Sequence, residues 1–497
     1  MRRLAVVLTL SLLAAGIARA DWPATGVRVQ SDFFAAKGVW YSHIFDLPSG
    51  DLGVILSSRD GNGTAYQYQR VTRDGNIASG WPASGVGLAN TVTGAQPRWQ
   101  AYVADDSGYF WHGWTSSASR VQRVSPTAVI SPPGSPGYDT FANSDGSPTR
   151  IAPDGTGAAF LTCGSNSLRR ITRTGGAVTG WTTPLSLPAD LLSDNVMTPD
   201  GSGGVIVFVT ENSSSDLPTA FRVDANRTFH AGWPAGGLVL STISPNRIGI
   251  YDSALLPSGT DHYIAAWLTG TDQVPGLLYL QRFGLDGTRD PAWPAAGVVP
   301  LPADSLLAPT FVPDGSGGVY FLRWNNWEPR ATHIASNGTI VGSADVPVLD
   351  AGAVWVPFAT SSLQATMVAD ATPNGGLIVG WGDTRHGISS LRVRWLQPDL
   401  TPTPGKPDTG LTVYPTTPIT VTTTMAAIHA DGNNAAFIAW GAPGTFGTGE
   451  LWMAHVTASP ASAVPAWSPF LLALAALLTG GAAAFRLSRR RTVPQRG

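Results

Sequence analysis

The chain has 497 residues, with 31 Lys or Arg against 33 Asp or Glu, and a formal net charge of −2 at pH 7. Without its basic ends the body keeps 23 basic residues against 33 acids, a net of −10 that excludes the positive footprint of a nucleic-acid binder. One cysteine, Cys163, excludes an intrachain disulfide and a cysteine-based metal site, so stability must come from a large core.

At the N-terminus Arg2 and Arg3 precede an apolar run from Leu4 to Ala15, and Ala18-Arg19-Ala20 is a small-x-small site. This pattern predicts a secretory signal peptide over residues 1–20, cut between Ala20 and Asp21. The body then begins with "DWPATGVRVQ" (21–30), a phrase that returns as "GWPASGVGL" (80–88), "GWPAGGLVL" (232–240) and "AWPAAGVVP" (292–300), with a worn copy at Gly180.

Recurrence at this spacing calls for a search for internal repeats. A second marker, a Pro-Asp-Gly-like turn followed by an apolar strand, occurs eight times. The copies begin at Leu47, Ala104, Ala152, Thr198, Leu256, Val312, Thr372 and His429. A third marker, chosen by different chemistry, is a basic residue in the strand that follows: Arg70, Arg123, Arg170, Arg222, Arg282, His333, Arg394 and His455. Both markers give eight units. Asp-Gly and Asn-Gly pairs supply the positive φ of tight hairpins, and stretches such as "AYQYQRV" (65–71) alternate as half-buried strands do.

Each unit therefore reads strand, turn, strand, variable loop, strand, turn, then the Trp-Pro strand. Four strands in about 55 residues is the size of a propeller blade. The last unit, ending at "LWMAHVTASP" (451–460), lacks its Trp-Pro strand, which stands instead at the start of the body. A ring closed by lending the first strand to the last blade needs such a split unit, whereas a solenoid needs polar caps. The expected fold class is all-β: an eight-bladed β-propeller over residues 21–458, plus one C-terminal transmembrane helix.

Signals for chemistry are weak. The sequence has no Gly-x-Ser-x-Gly elbow, His-Glu-x-x-His helix or phosphate loop. The "PDGSGG" turns offer one acid each, short of a calcium loop. The reading is of no catalytic residue, no metal and no cofactor. Trp114, Trp267, Trp324, Trp381 and Trp440 end the second strand of five units and lie on one face by repeat equivalence. Such rings either stack on a sugar or peptide side chain or pack between blades. The basic marker falls on the third strand from the axis, away from any channel, and is expected to lay its guanidinium on a Trp face: Trp81 for Arg70, Trp293 for Arg282.

Residues 459–466 form a linker, and Trp467 to Phe485 gives 19 residues without a charge, enough to cross a bilayer as a helix. The following arginines, in a basic tail over 486–497, favour the cytoplasmic side and place the body outside. Val464-Pro465-Ala466-Trp467-Ser468-Pro469, the apolar segment and the arginines together resemble the tripartite sorting tails of Gram-negative bacteria, the IPTL type and, in plan, the PEP type. That resemblance implies export through the inner membrane, a membrane partner and a sorting protease. The body resembles the degenerate secreted bacterial repeats of the form Pro-Asp-Gly-x-Gly-Gly, Trp, Asp-x-Arg-x-Gly, Gln-Arg, Asp-Gly, Trp-Pro-x-x-Gly, with "WGDTRHG" (381–387) matching its middle. It implies a propeller fold and a surface location rather than a reaction. The functional expectation is a non-enzymatic, surface-anchored propeller that binds a glycan or protein partner through one loop face. The alternatives are a polysaccharide-active enzyme, which needs a close pair of carboxylates, and a structural envelope component.

Overall fold

The structure is a computed structural model that describes residues 22–457 except 23–25, 34–38, 61–62, 89–98, 116–118, 132–137, 142–149, 164–166, 189–193, 211–216, 244–252, 270–276, 301–306, 326–327, 351, 354–366, 384–389, 414–424, 433 and 444–448. The expected signal peptide, its cleavage site at Ala20–Asp21, the sorting motif from Val464 to Pro469, the apolar segment 467–485 and the basic tail all lie outside the described residues. Among the described residues no helix is long and apolar enough to cross a membrane.

Eight antiparallel sheets form eight blades. Blade 1 is Val39–Asp46, Leu52–Asp60, Gly63–Val71 and Val86–Gly87. Blade 2 is Trp99–Ala104, Phe110–Thr115 and Ser119–Val124, the last pairing with both Ile130–Ser131 and Tyr138–Phe141. Blade 3 is Ile151–Pro153, Ala159–Cys163, Ser167–Ile171 and Leu185–Ser186, and blade 4 is Asp194–Pro199, Val205–Thr210, Thr219–Val223 and Leu238–Val239. Blade 5 is Ala254–Pro257, His262–Leu268 and Leu278–Gly284, its fourth strand reduced to a bridge between Leu280 and Val298. Blade 6 is Leu307–Pro313, Val319–Asn325, Glu328–Ile334 and Val346–Pro347, and blade 7 is Met367–Ala371, Leu377–Asp383, Ser390–Leu396 and Leu411–Val413.

Blade 8 is the split unit. Met425–Asp431, Ala435–Pro443 and Gly449–Thr457 are completed by Val27–Phe33 from the other end of the chain, with Val27 opposite Met453. First strands of successive blades adjoin, as Met425–Asp431 does with Met367–Ala371 and with Val39–Asp46, so they surround the axis. Closure removes the free edge that would otherwise invite pairing with another chain.

The core lies between blades. Phe160, Leu168 and Trp181 of blade 3 pack on Val205, Val207 and Val223 of blade 4, and Trp22 and Val29 of blade 8 pack on Leu52, Val54 and Val71 of blade 1. Among the described residues second strands are largely buried, as Val205–Thr210 shows, because each is covered by a blade on both sides.

The Trp-Pro phrase forms a turn rather than a full strand, with Gly85 N donating to Pro82 O and Gly237 N to Pro234 O. Only the two residues after it pair with the third strand. Its tryptophan reaches into the next blade, where the indole N–H donates to a carbonyl of the turn leaving the third strand. Trp81 bonds Pro126 O, Trp181 bonds Ala225 O, Trp233 bonds Leu285 O and Trp293 bonds Ser336 O, all at 2.7–2.9 Å. Trp22 closes the series across the chain ends by donating to Arg73 O at 2.7 Å. The receiving turn needs glycine on two counts. Gly287 has φ +78°, and a Cβ there would lie 3.0 Å from the Trp233 ring.

Candidate functional site

The eight basic residues lie on third strands, off the axis, as the unit order predicts. Their partners differ from expectation. In blades 3, 4 and 6 the turn carboxylate uses Oδ1 to accept two backbone N–H groups, as Asp200 does from Ser202 and Gly204 at 2.8 Å each. Its Oδ2 then takes the basic residue: Arg170 on Asp154 at 2.5 Å, Arg222 on Asp200 at 2.9 Å, and His333 on Asp314 at 2.9 Å. Burial works to raise the pKa of Asp154, Asp200 and Asp314. The backbone donors and the hydrogen bond from the facing basic side chain outweigh it and hold all three below the usual carboxylate range.

The far end of the basic residue crosses to the next blade. Arg70, Arg170 and Arg222 donate to Pro126 O, Ala225 O and Leu285 O, the carbonyls that also receive the Trp81, Trp181 and Trp233 indoles. His333 does the same with Pro398 O at 2.7 Å. Arg70 takes Asp51, Arg282 takes Ser258 and Asp290, Arg394 takes Val348 O and Asp408, and His455 takes Asp431. The expected stacking of Arg70 on Trp81 and of Arg282 on Trp293 is thus replaced by ion pairing, because a carboxylate fixed at 2.7 Å outcompetes a ring face. Arg123 does lie over a ring, with its guanidinium carbon 3.3 Å from the Tyr109 centroid, and donates to Arg173 O.

The second-strand tryptophans separate in the same way. Trp267, Trp381 and Trp440 are fully buried. Trp267 stacks on Tyr279 at 5.8 Å, and Trp381 donates to Asp383 at 3.2 Å. A Cβ at Gly26 would lie 2.5 Å from the Trp440 ring. These three are packing residues between blades, the second of the two readings that the sequence left open. Trp114 and Trp324 end Phe110–Thr115 and Val319–Asn325, and their side chains lie outside what is described.

One group departs from the repeat. His429 on the first strand of blade 8 sits between two carboxylates from other blades, with Nδ1 3.0 Å from Asp370 of blade 7 and Nε2 3.2 Å from Asp46 of blade 1. Asp46 also takes Arg73, which reaches Asp431 at 2.8 Å, and Asp431 takes His455 at 2.8 Å. The backbone N–H of Ala430 donates to Asp370 at 2.8 Å. Charges of alternating sign thus run from blade 7 through blade 8 to blade 1.

The other units serve as the control. Positions equivalent to Asp370 and His429, two residues before the turn, hold Phe45, Val103, Ala152, Thr198, Leu256 and Val312. The propeller does not need charge there.

Burial opposes the charge on His429, but Asp370 and Asp46 more than offset it and raise the imidazole to a pKa of about 9. In return the contact with His429 holds Asp46 down against its partial burial. His43, open to water yet walled in by protein, is pushed below the ordinary imidazole range by desolvation; Asp370 opposes this and the charge on His429 adds to it. With its pKa raised to about 9, the imidazole is charged at neutral pH and has no lone pair for general-base work there. Among the described residues no three His, Cys, Asp or Glu side chains are arranged to hold a metal ion. Sequence reasoning missed this group because Asp46 and His429 stand at opposite ends of the chain. The available signal was a charge at a position that is otherwise uncharged in the repeat.

No protein family matches the chain, and no curated protein does. Solved structures resemble it distantly. The β-propeller domain of the Trilobed protease from Pyrococcus furiosus is 8% identical over 71% of this chain and 95% of that one, with a TM-score of 0.33. The NanB sialidase from Streptococcus pneumoniae is 10% identical over 88% and 71%, with a TM-score of 0.36. The alpha-L-arabinofuranosidase of Fusarium graminearum is 10% identical over 88% and 98%, with a TM-score of 0.31. Likeness this distant carries no argument about this chain, whose propeller is read from its own strand order.

Proposed function

We propose that the protein is a non-enzymatic binding scaffold that presents the variable connections of one propeller face to a glycan or protein partner. The observation that carries this is the asymmetry of the connections. Strands run alternately down and up each blade, so first-to-second and third-to-fourth connections leave one face and second-to-third and blade-to-blade connections leave the other. On the first face lengths are uniform. They are three to five residues from first to second strand in every blade, as between Pro199 and Val205, and 11 to 14 from third to fourth strand in blades 1, 3, 4, 6 and 7. On the other face they vary widely, with 14 residues between Leu238–Val239 and Ala254–Pro257 and 19 between Val346–Pro347 and Met367–Ala371. Variable connections on a fixed scaffold are where binding is built.

The carboxylate pair that a glycosidase needs has a counterpart in Asp46 and Asp370, which favours the enzymatic reading enough to test it. Against it, His429 lies between them, and Asp46 is held ionised where a general acid must be kept protonated. The protein is expected to bind on a glycan array or to a purified surface protein and to release no reducing ends from polysaccharides. Replacing residues 384–389 by a Gly-Ser spacer should weaken binding by about tenfold or more if that loop contributes a hot spot. Release of reducing ends, or binding untouched by replacing any of the variable connections, overturns the proposal.

Attachment to the membrane through 467–485, with the propeller outside the cytoplasm, belongs to the same proposal. The last strand, Gly449–Thr457, ends on the face of the first-to-second turns. Protease added to intact spheroplasts should remove the propeller and leave a small arginine-ended fragment. Recovery of the uncleaved full-length chain in the soluble fraction excludes the anchor.

A further inference from the structure

We propose that the ring is closed by a charge-operated clasp, in which protonated His429 of the closing blade holds Asp370 of blade 7 and Asp46 of blade 1, and loss of its proton releases that blade. Three observations meet here. The contacts cross both seams of blade 8, the one blade assembled from the two ends of the chain. The ladder that completes this blade is irregular, with register shifts between Arg28 and Gln30 and between Gln30 and Phe33. The equivalent position is uncharged in the six blades outside the 7–8 pair.

Deprotonation does more than weaken the clasp. A neutral imidazole keeps one N–H, so one of the two carboxylates would face a nitrogen lone pair instead of a donor. The titratable and charged groups around His429 are Asp370 from blade 7, His43, Asp46 and Arg73 from blade 1, and Asp431 and His455 from its own blade. Arginine and carboxylates hold their charge from neutral to alkaline pH, so a change there comes from the histidines, and comparison with a His429 variant isolates the share of His429.

The sign follows from the raised folded-state pKa. The contribution of His429 is complete below its unfolded pKa near 6.5, falls as pH rises and is gone once pH passes about 9. Tyr263 titrates outside this window, raised to about 12 by burial, and Tyr68 and Tyr320 are raised further. Lys406, which reaches from blade 7 to Asn434 of blade 8, is lowered by desolvation and belongs to the background.

The test compares melting temperatures of the full-length protein and His429→Gln from pH 6 to pH 10. The native protein should melt about 2–4 °C higher at pH 6, and the gap should close by pH 10. Parallel profiles, or a gap unchanged at pH 10, overturn the proposal. If His429→Gln does not fold, Asp46→Asn serves, since its side chain is 56% exposed. Removing that carboxylate should move the alkaline step of the melting profile to lower pH, and an unmoved step overturns the clasp.

Discussion

Asp200→Ala is expected to destabilise the propeller by about 3–5 kcal/mol, the cost of leaving a buried cation without its partner. The Asp200 side chain is fully buried and that of Arg222 is 8% exposed. The substitution strands the guanidinium and also the Ser202 and Gly204 N–H groups that Oδ1 accepted. Asp200→Ala/Arg222→Met should recover much of the loss, because an apolar pair can replace a buried ion pair and Leu285 O keeps the Trp233 indole at 2.8 Å. Because the folded-state pKa of Asp200 is depressed, its contribution is present above the unfolded value near 3.8 and is lost as pH falls through the folded value. Urea unfolding at pH 7 and at pH 3 checks both points: a single-variant loss under 1 kcal/mol at pH 7, or a gap that widens in acid, contradicts the latch.

Removing residues 21–33 should have a larger effect still. Val29 is fully buried, its carbonyl accepts from Gln69 Nε2 at 3.1 Å, and Trp22 packs 5.7 Å from Phe437. Truncation exposes the edge of Gly449–Thr457, empties the core between blades 8 and 1 and removes the Trp22 bond to Arg73. Loss of these apolar contacts amounts to roughly 5 kcal/mol or more. The truncated chain should melt well below the native protein and associate through its open edge. A synthetic peptide of residues 21–33 should restore part of the stability by adding back the strand. An unchanged melting temperature would mean that closure does not depend on this strand.

Much of the scaffold was legible in the sequence because it is encoded locally. Asp-Gly turns set positive φ where hairpins need it, alternation sets strand faces, and two markers counted on different chemistry agreed on eight units. The orphan Trp-Pro phrase at Asp21 announced the closing strand, and the order of strands placed the basic residues off the axis. What only the tertiary structure decided is which groups meet. Arg222 could not choose Asp200 and Leu285 O over a Trp face until neighbouring blades packed, since those partners stand 22 residues before it and 63 after it. The burial of Trp267, Trp381 and Trp440 likewise depends on a second blade covering each strand. Asp46, Asp370 and His429 are juxtaposed by closure of the ring, because three strands distant in sequence become neighbours only when the first and last blades touch. Repeat chemistry fixes backbone conformation residue by residue, whereas the pairing of charges depends on distances that only the folded ring makes short.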